Sequence, residues 1–61
     1  MKAYHYEIPL NSKTIVSDDF KTLSDCINAC QAECKALGID YDSPEVKVYM
    51  VIGSRALEMM K

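Results

Sequence analysis

Glycine and histidine are scarce in this chain: it has two of the first and one of the second. Two glycines cannot build a glycine-rich loop that wraps a phosphate, and no G-x-S-x-G turn or H-E-x-x-H helix occurs. Cations are few and scattered, seven Lys and Arg against nine Asp and Glu for a net charge of −2. Nucleic-acid binding draws most of its affinity from Lys and Arg on phosphates, so nucleic acid is not the expected partner. The charge is also too small for a phosphate-mimicking decoy, and mainly signals solubility. No stretch approaches the roughly 20 apolar residues of a membrane span. The opening "MKAYHYEIPL" has one Lys and no long apolar run, and does not read as a signal peptide. No C-x-x-C pair occurs, which removes the usual redox and zinc-ribbon spacings. Three cysteines leave one unpaired in any disulfide scheme, which fits reduced thiols in a cytoplasm, a host's if the chain is viral.

What is present is apolar and ordered in character. Hydrophobic residues make up 49% of the chain, with only two prolines, which argues against disorder. The 61 residues have room for one small domain, 1–61. A chain of this length buries only about 60% of the surface its unfolded form exposes. Self-association into a homo-oligomer is the expected way to gain core.

Apolar residues alternate from Tyr4 through Tyr6, Ile8 and Leu10, with His5 and Glu7 opposite, which is a half-buried strand. Asn11-Ser12-Lys13 is turn chemistry, and Thr14-Ile15-Val16 completes a hairpin, with Pro9 suited to a strand end or edge. Thr22 followed by Asp25 resembles a capping box with Asp in place of Glu, and opens the helical run "LSDCINACQAECKAL". Gly38 then Ile39 is a stop signal. After the polar loop "DYDSPE", Val46–Ile52 is the strongest strand signal. Segment 54–61, containing "RALEMMK", has helical propensity but is too short to stand alone, and is read as a docked turn, an edge segment or a frayed tail. The expected architecture is α+β: a two-layer β-β-α-β sandwich, one long helix on a small, mainly antiparallel sheet of three strands.

The stretch "DCINACQAEC" spaces three thiols four residues apart. At about 100° per residue, Phe20, Leu23, Ile27, Cys30, Cys34 and Leu37 share one apolar arc, with Cys26 at its margin. Free cysteine packs as a small hydrophobe and is among the most buried residue types. Cβ atoms four apart on a helix lie about 5–6 Å apart, too far for a disulfide. Three thiolates along one helix cannot surround a zinc ion alone, so a fourth ligand would have to come from His5 or another subunit. Core packing is the preferred reading. The alternative is a thiol- or metal-dependent protein that uses Cys26, Cys30, Cys34 and His5 at an oligomer interface, or a reactive Cys26.

Other candidates are weaker. His5 has only Glu7 as a neighbouring carboxylate on its strand face and reads as a solvent-facing residue. "DYDSPE" begins like a calcium loop with Asp40, Asp42 and Ser43, but Glu45 and Val51 stand where that loop requires Gly and Glu. Tyr4, Tyr6 and Tyr49 are either core, if they face the helix, or a protein-binding patch. Leu57, Met59 and Met60 are further exposed apolar candidates. The resulting expectation is a non-enzymatic, cofactor-free, protein-binding module acting as a regulator or inhibitor. In character it is like phage-encoded inhibitors and antitoxin domains, although no motif identifies either. The expected docking surfaces are the edge of Val46–Ile52, the segment Leu57–Met60 and the tyrosine-bearing hairpin.

Overall fold

The computed structural model describes residues 2–59. Four strands and one helix follow each other as β1 (Lys2–Pro9), β2 (Thr14–Val16), α1 (Leu23–Leu37), β3 (Lys47–Ile52) and β4 (Arg55–Met59). The strands form one antiparallel sheet in the order β2-β1-β3-β4, with α1 packed on one side. The α+β class and the helix-on-sheet arrangement agree with the sequence reading. The expected sheet of three strands is corrected to four, because the segment after Gly53-Ser54 is an edge strand.

Period two fixes the faces of β1. Tyr6 and Ile8 point to the helix side and are buried, while His5 and Glu7 point away. The Asn11–Lys13 turn closes with the Leu10 N–H donating to the Lys13 carbonyl at 2.7 Å. Past Val16 the chain steps off the ladder. There the Tyr6 N–H donates to Ser17 Oγ at 2.9 Å, the Ser17 N–H donates to the Tyr6 carbonyl at 3.0 Å, and Phe20 exchanges two backbone hydrogen bonds with Tyr4. These contacts complete the flank of β1 that the three-residue β2 leaves short.

Local chemistry sets both ends of α1. Thr22 Oγ1 accepts from the Asp25 N–H at 3.1 Å, with Thr22 in extended backbone, as an N-cap requires. Gly38 takes φ 72°. Its N–H and that of Ile39 return to the carbonyls of Lys35 and Cys34 at 3.3 and 2.8 Å, the paired bonds of a Schellman cap. Between the caps, Cys26, Cys30 and Cys34 form one row against the sheet and are 0%, 0% and 1% exposed. The placing of Cys26 at the margin of the apolar arc is therefore corrected: it is fully buried, whereas Leu37 is 38% exposed. Tyr6, Ile8, Val46 and Val48 complete the core, and Phe20 stacks on Tyr6 with ring centroids 6.2 Å apart.

β3 and β4 are joined by the two-residue loop Gly53-Ser54, with Gly53 at φ 61° and no positive φ at Ser54. That is the glycine-first hairpin turn whose twist matches the strands it joins. No helix among the described residues is long and apolar enough to cross a membrane.

Candidate functional site

α1 lies over β1 and β3 and does not reach β4. The register pairs Val48 with Met59, Met50 with Leu57, and Ile52 with Arg55, so these side chains share the helix side of the sheet with Tyr6 and Ile8. Met59 is tucked against the core, but Ile52 and Leu57 are 41% and 42% exposed. The β3–β4 hairpin thus carries an apolar strip, Met50, Ile52 and Leu57, of which Met50 is half-buried and Ile52 and Leu57 stand beyond the cover of the helix.

The outer edge of β4 adjoins that strip. Residues flanking a two-residue hairpin loop exchange both backbone hydrogen bonds, and the pattern then alternates along the strands. Arg55, Leu57 and Met59 therefore turn their N–H and C=O groups toward β3, and Ala56 and Glu58 turn theirs outward. Arg55–Met59 contains no proline, one of the devices that blunt such an edge, and its charges, Arg55 and Glu58, leave Ala56 and Leu57 between them apolar. The opposite edge, β2, is only three residues long.

The other face of the sheet is mixed: Ala3, Val16, Val51 and Ala56 are apolar, with Val16 exposed, and the charged side chains beside them pair with one another. His5 stacks on Tyr49 at 5.1 Å between ring centroids, its Nε2 lies 3.5 Å from Glu7 Oε2, and Lys47 Nζ lies 3.6 Å from Glu58 Oε1. The side chains beside His5 are thus one carboxylate and one aromatic ring.

The residues singled out from sequence are thus divided. Tyr4 and Tyr6 stand on the helix side against the core. The Tyr6 O–H donates to Glu33 Oε1 at 3.5 Å, and burial, then the Glu33 charge, pushes its pKa up. Tyr49 stands on the opposite face, so the three tyrosines make no common platform. Leu57 and Met59 fall on β4, while Met60 lies outside the described residues. The cysteines form no disulfide and are sealed between helix and sheet, and burial pushes the Cys26 thiol up, away from the reactive thiolate. His5 is separated from them by the thickness of the sheet, so one chain does not gather the four residues. Among the described residues no group of three or more His, Cys, Asp or Glu is placed to hold a metal ion. The "DYDSPE" loop is an acidic connector whose Asp40 carboxylate accepts from the Asp42 N–H at 2.9 Å. The described residues enclose no pocket.

Met50 and Ile52 were not singled out from sequence. The signal for them was Gly53-Ser54, a hairpin loop that fixes which residue of β3 lies beside which of β4. Comparison with protein-family models, curated proteins and solved structures returns no match.

Proposed function

We propose that this chain is a non-enzymatic protein-binding module, acting as a regulator or inhibitor, whose docking surface is the edge of β4 with the strip Met50, Ile52 and Leu57. One observation carries the reading: a proline-free edge strand stands outside the cover of the only helix among the described residues, with two large side chains more than 40% exposed on its hairpin. Backbone groups that lack a partner strand supply affinity to an incoming chain, and the adjoining apolar side chains supply selectivity. Sealed thiols and a histidine whose neighbours are Glu7 and Tyr49 support binding rather than catalysis.

The test is capture from cells with the tagged chain, comparing wild type with Leu57→Lys on the strip and Val16→Lys on the opposite face, both exposed sites. A protein held in fixed stoichiometry by wild type and Val16→Lys, and lost by a folded Leu57→Lys, is expected. A partner held equally by all three would overturn the docking surface.

A further inference from the structure

We infer that the occupant of the β4 edge is β4 of a second copy of this chain, paired antiparallel about a two-fold axis through Leu57. Resting on the docking surface argued above, this names its occupant. The result would be an eight-stranded sheet with both helices on one side, twice the four strands of one chain.

Symmetry leaves few choices. Edge-to-edge antiparallel pairing of identical strands requires an axis normal to the sheet, so one residue must face its own copy. Centring on Glu58 sets two carboxylates opposite each other, which is destabilising. Centring on Ala56 sets Leu57 against Arg55 and carries Glu58 and Met59 past the end of the other strand, opposite the turn residues Ser54 and Gly53. Centring on Leu57 sets every residue of β4 against a residue of the other β4: Leu57 faces Leu57, Ala56 faces Glu58, and Arg55 faces Met59.

That last register also uses the outward backbone groups. Ala56 of each copy exchanges both hydrogen bonds with Glu58 of the other, so all four outward groups of each strand find partners. The two Leu57 residues form the closer, non-hydrogen-bonded kind of pair, with side chains in contact. On the helix side a row then crosses the whole interface as Tyr4, Met50, Leu57 and their three counterparts, apolar throughout its centre. On the open face Glu58 meets an alanine and keeps its Lys47 contact. An interface five residues long spans about 17 Å, smaller than a standard protein–protein interface, so a dissociation constant in the micromolar range is expected.

Two variants test the pairing. Cα atoms in a non-hydrogen-bonded antiparallel pair are about 4.5 Å apart, within disulfide range, and the native thiols are sealed. Under mild oxidation Leu57→Cys should give a covalent dimer at least about tenfold faster than Val16→Cys, a more accessible site on the far face. Ala56→Pro removes an outward N–H without touching the β3–β4 ladder, takes two symmetric hydrogen bonds from the pair, and should weaken dimerisation by about tenfold or more in sedimentation equilibrium, with unchanged circular dichroism. A wild type that stays monomeric at millimolar concentration, equal crosslinking of the two cysteine variants, or a dimer indifferent to Ala56→Pro would each overturn the pairing. A monomeric wild type whose partner capture is still abolished by Leu57→Lys overturns only the self-pairing; capture indifferent to Leu57→Lys overturns the docking surface itself.

Discussion

Replacing Cys26 by serine exchanges S–H for O–H at a site that is 0% exposed and lies in a core without buried polar side chains. The shapes are close, so a sulfur valued for its polarity should tolerate serine better than alanine. A sulfur that serves as apolar filler reverses the order. Alanine gives up burial of one methylene-sized group, about 0.8 kcal/mol, with a small cavity on top, and regains up to ~0.5 kcal/mol of helix propensity. Serine introduces a hydroxyl whose burial costs roughly 1–3 kcal/mol, nearer the low end if it bonds back to the Thr22 carbonyl. The serine variant should therefore be the less stable by about 1 kcal/mol, which for a chain this small is about 4–8 °C in Tm. Thermal and urea unfolding at one fixed protomer concentration measure the difference, since self-association would add a concentration-dependent contribution. An aromatic disulfide reagent should find the three thiols slow in the folded chain and all reactive after unfolding. A serine variant as stable as the alanine variant would refute the filler argument, as would a thiol titrating freely in the folded state.

Burial raises the Cys26 thiol above its ordinary 9.0, and the Tyr6 and Tyr41 hydroxyls above 10.0. In each case the folded chain holds a proton that the unfolded chain releases. Their contribution is therefore intact below pH 9 and is lost as pH rises through 9 and 10 toward the folded values. A urea midpoint that does not fall between about pH 8 and about pH 10.5 would contradict this. Ser17→Ala strips the Tyr6 N–H of its acceptor beside the core, at an expected cost of about 1–3 kcal/mol in chemical denaturation, while Ser17→Thr should be nearly neutral. Gly53→Ala meets no atom within 4 Å, so any loss measures backbone strain at φ 61° alone; at least ~1 kcal/mol is expected, and no loss would mean the turn can change type.

Features carried by neighbouring residues were legible in the sequence. Thr22 and Gly38 cap the helix because the groups they satisfy lie within a few residues, and the alternation at Tyr6 and Ile8 sets their face without any knowledge of a partner strand. Features set by pairing between distant strands were not. Tyr49 shares a face with His5 and not with Tyr6 because His5 lies opposite Tyr49 across β1 and β3, a register that no local pattern reveals. Arg55–Met59 is strand although Leu, Glu and Met favour helix, because its ladder to β3 outweighs a propensity of a few tenths of a kcal/mol per residue. The one local trace of that outcome was Gly53-Ser54. The burial of Cys26 depended on how α1 crosses the strands, which is likewise a tertiary quantity.

Self-pairing and partner docking draw on one hairpin, yet the widths involved separate them. A helix is about 10 Å across, and neighbouring strands are about 4.8 Å apart, so one helix covers about two strands and a four-stranded sheet must leave part of a face bare. Here the bare part is the β4 side, since α1 lies over β1 and β3. In the paired arrangement each helix stands about two strand spacings from the two-fold axis, which puts the helix axes about 19 Å apart. Helices in direct contact stand 8–10 Å apart, so the two cannot close over the seam. In that arrangement the backbone edge would be used up, while the two Leu57 side chains, with Met50 at each wall, would line the floor of a valley about one helix wide. Pairing therefore doubles the apolar floor presented to a third chain, and the edge and the strip need not serve the same partner.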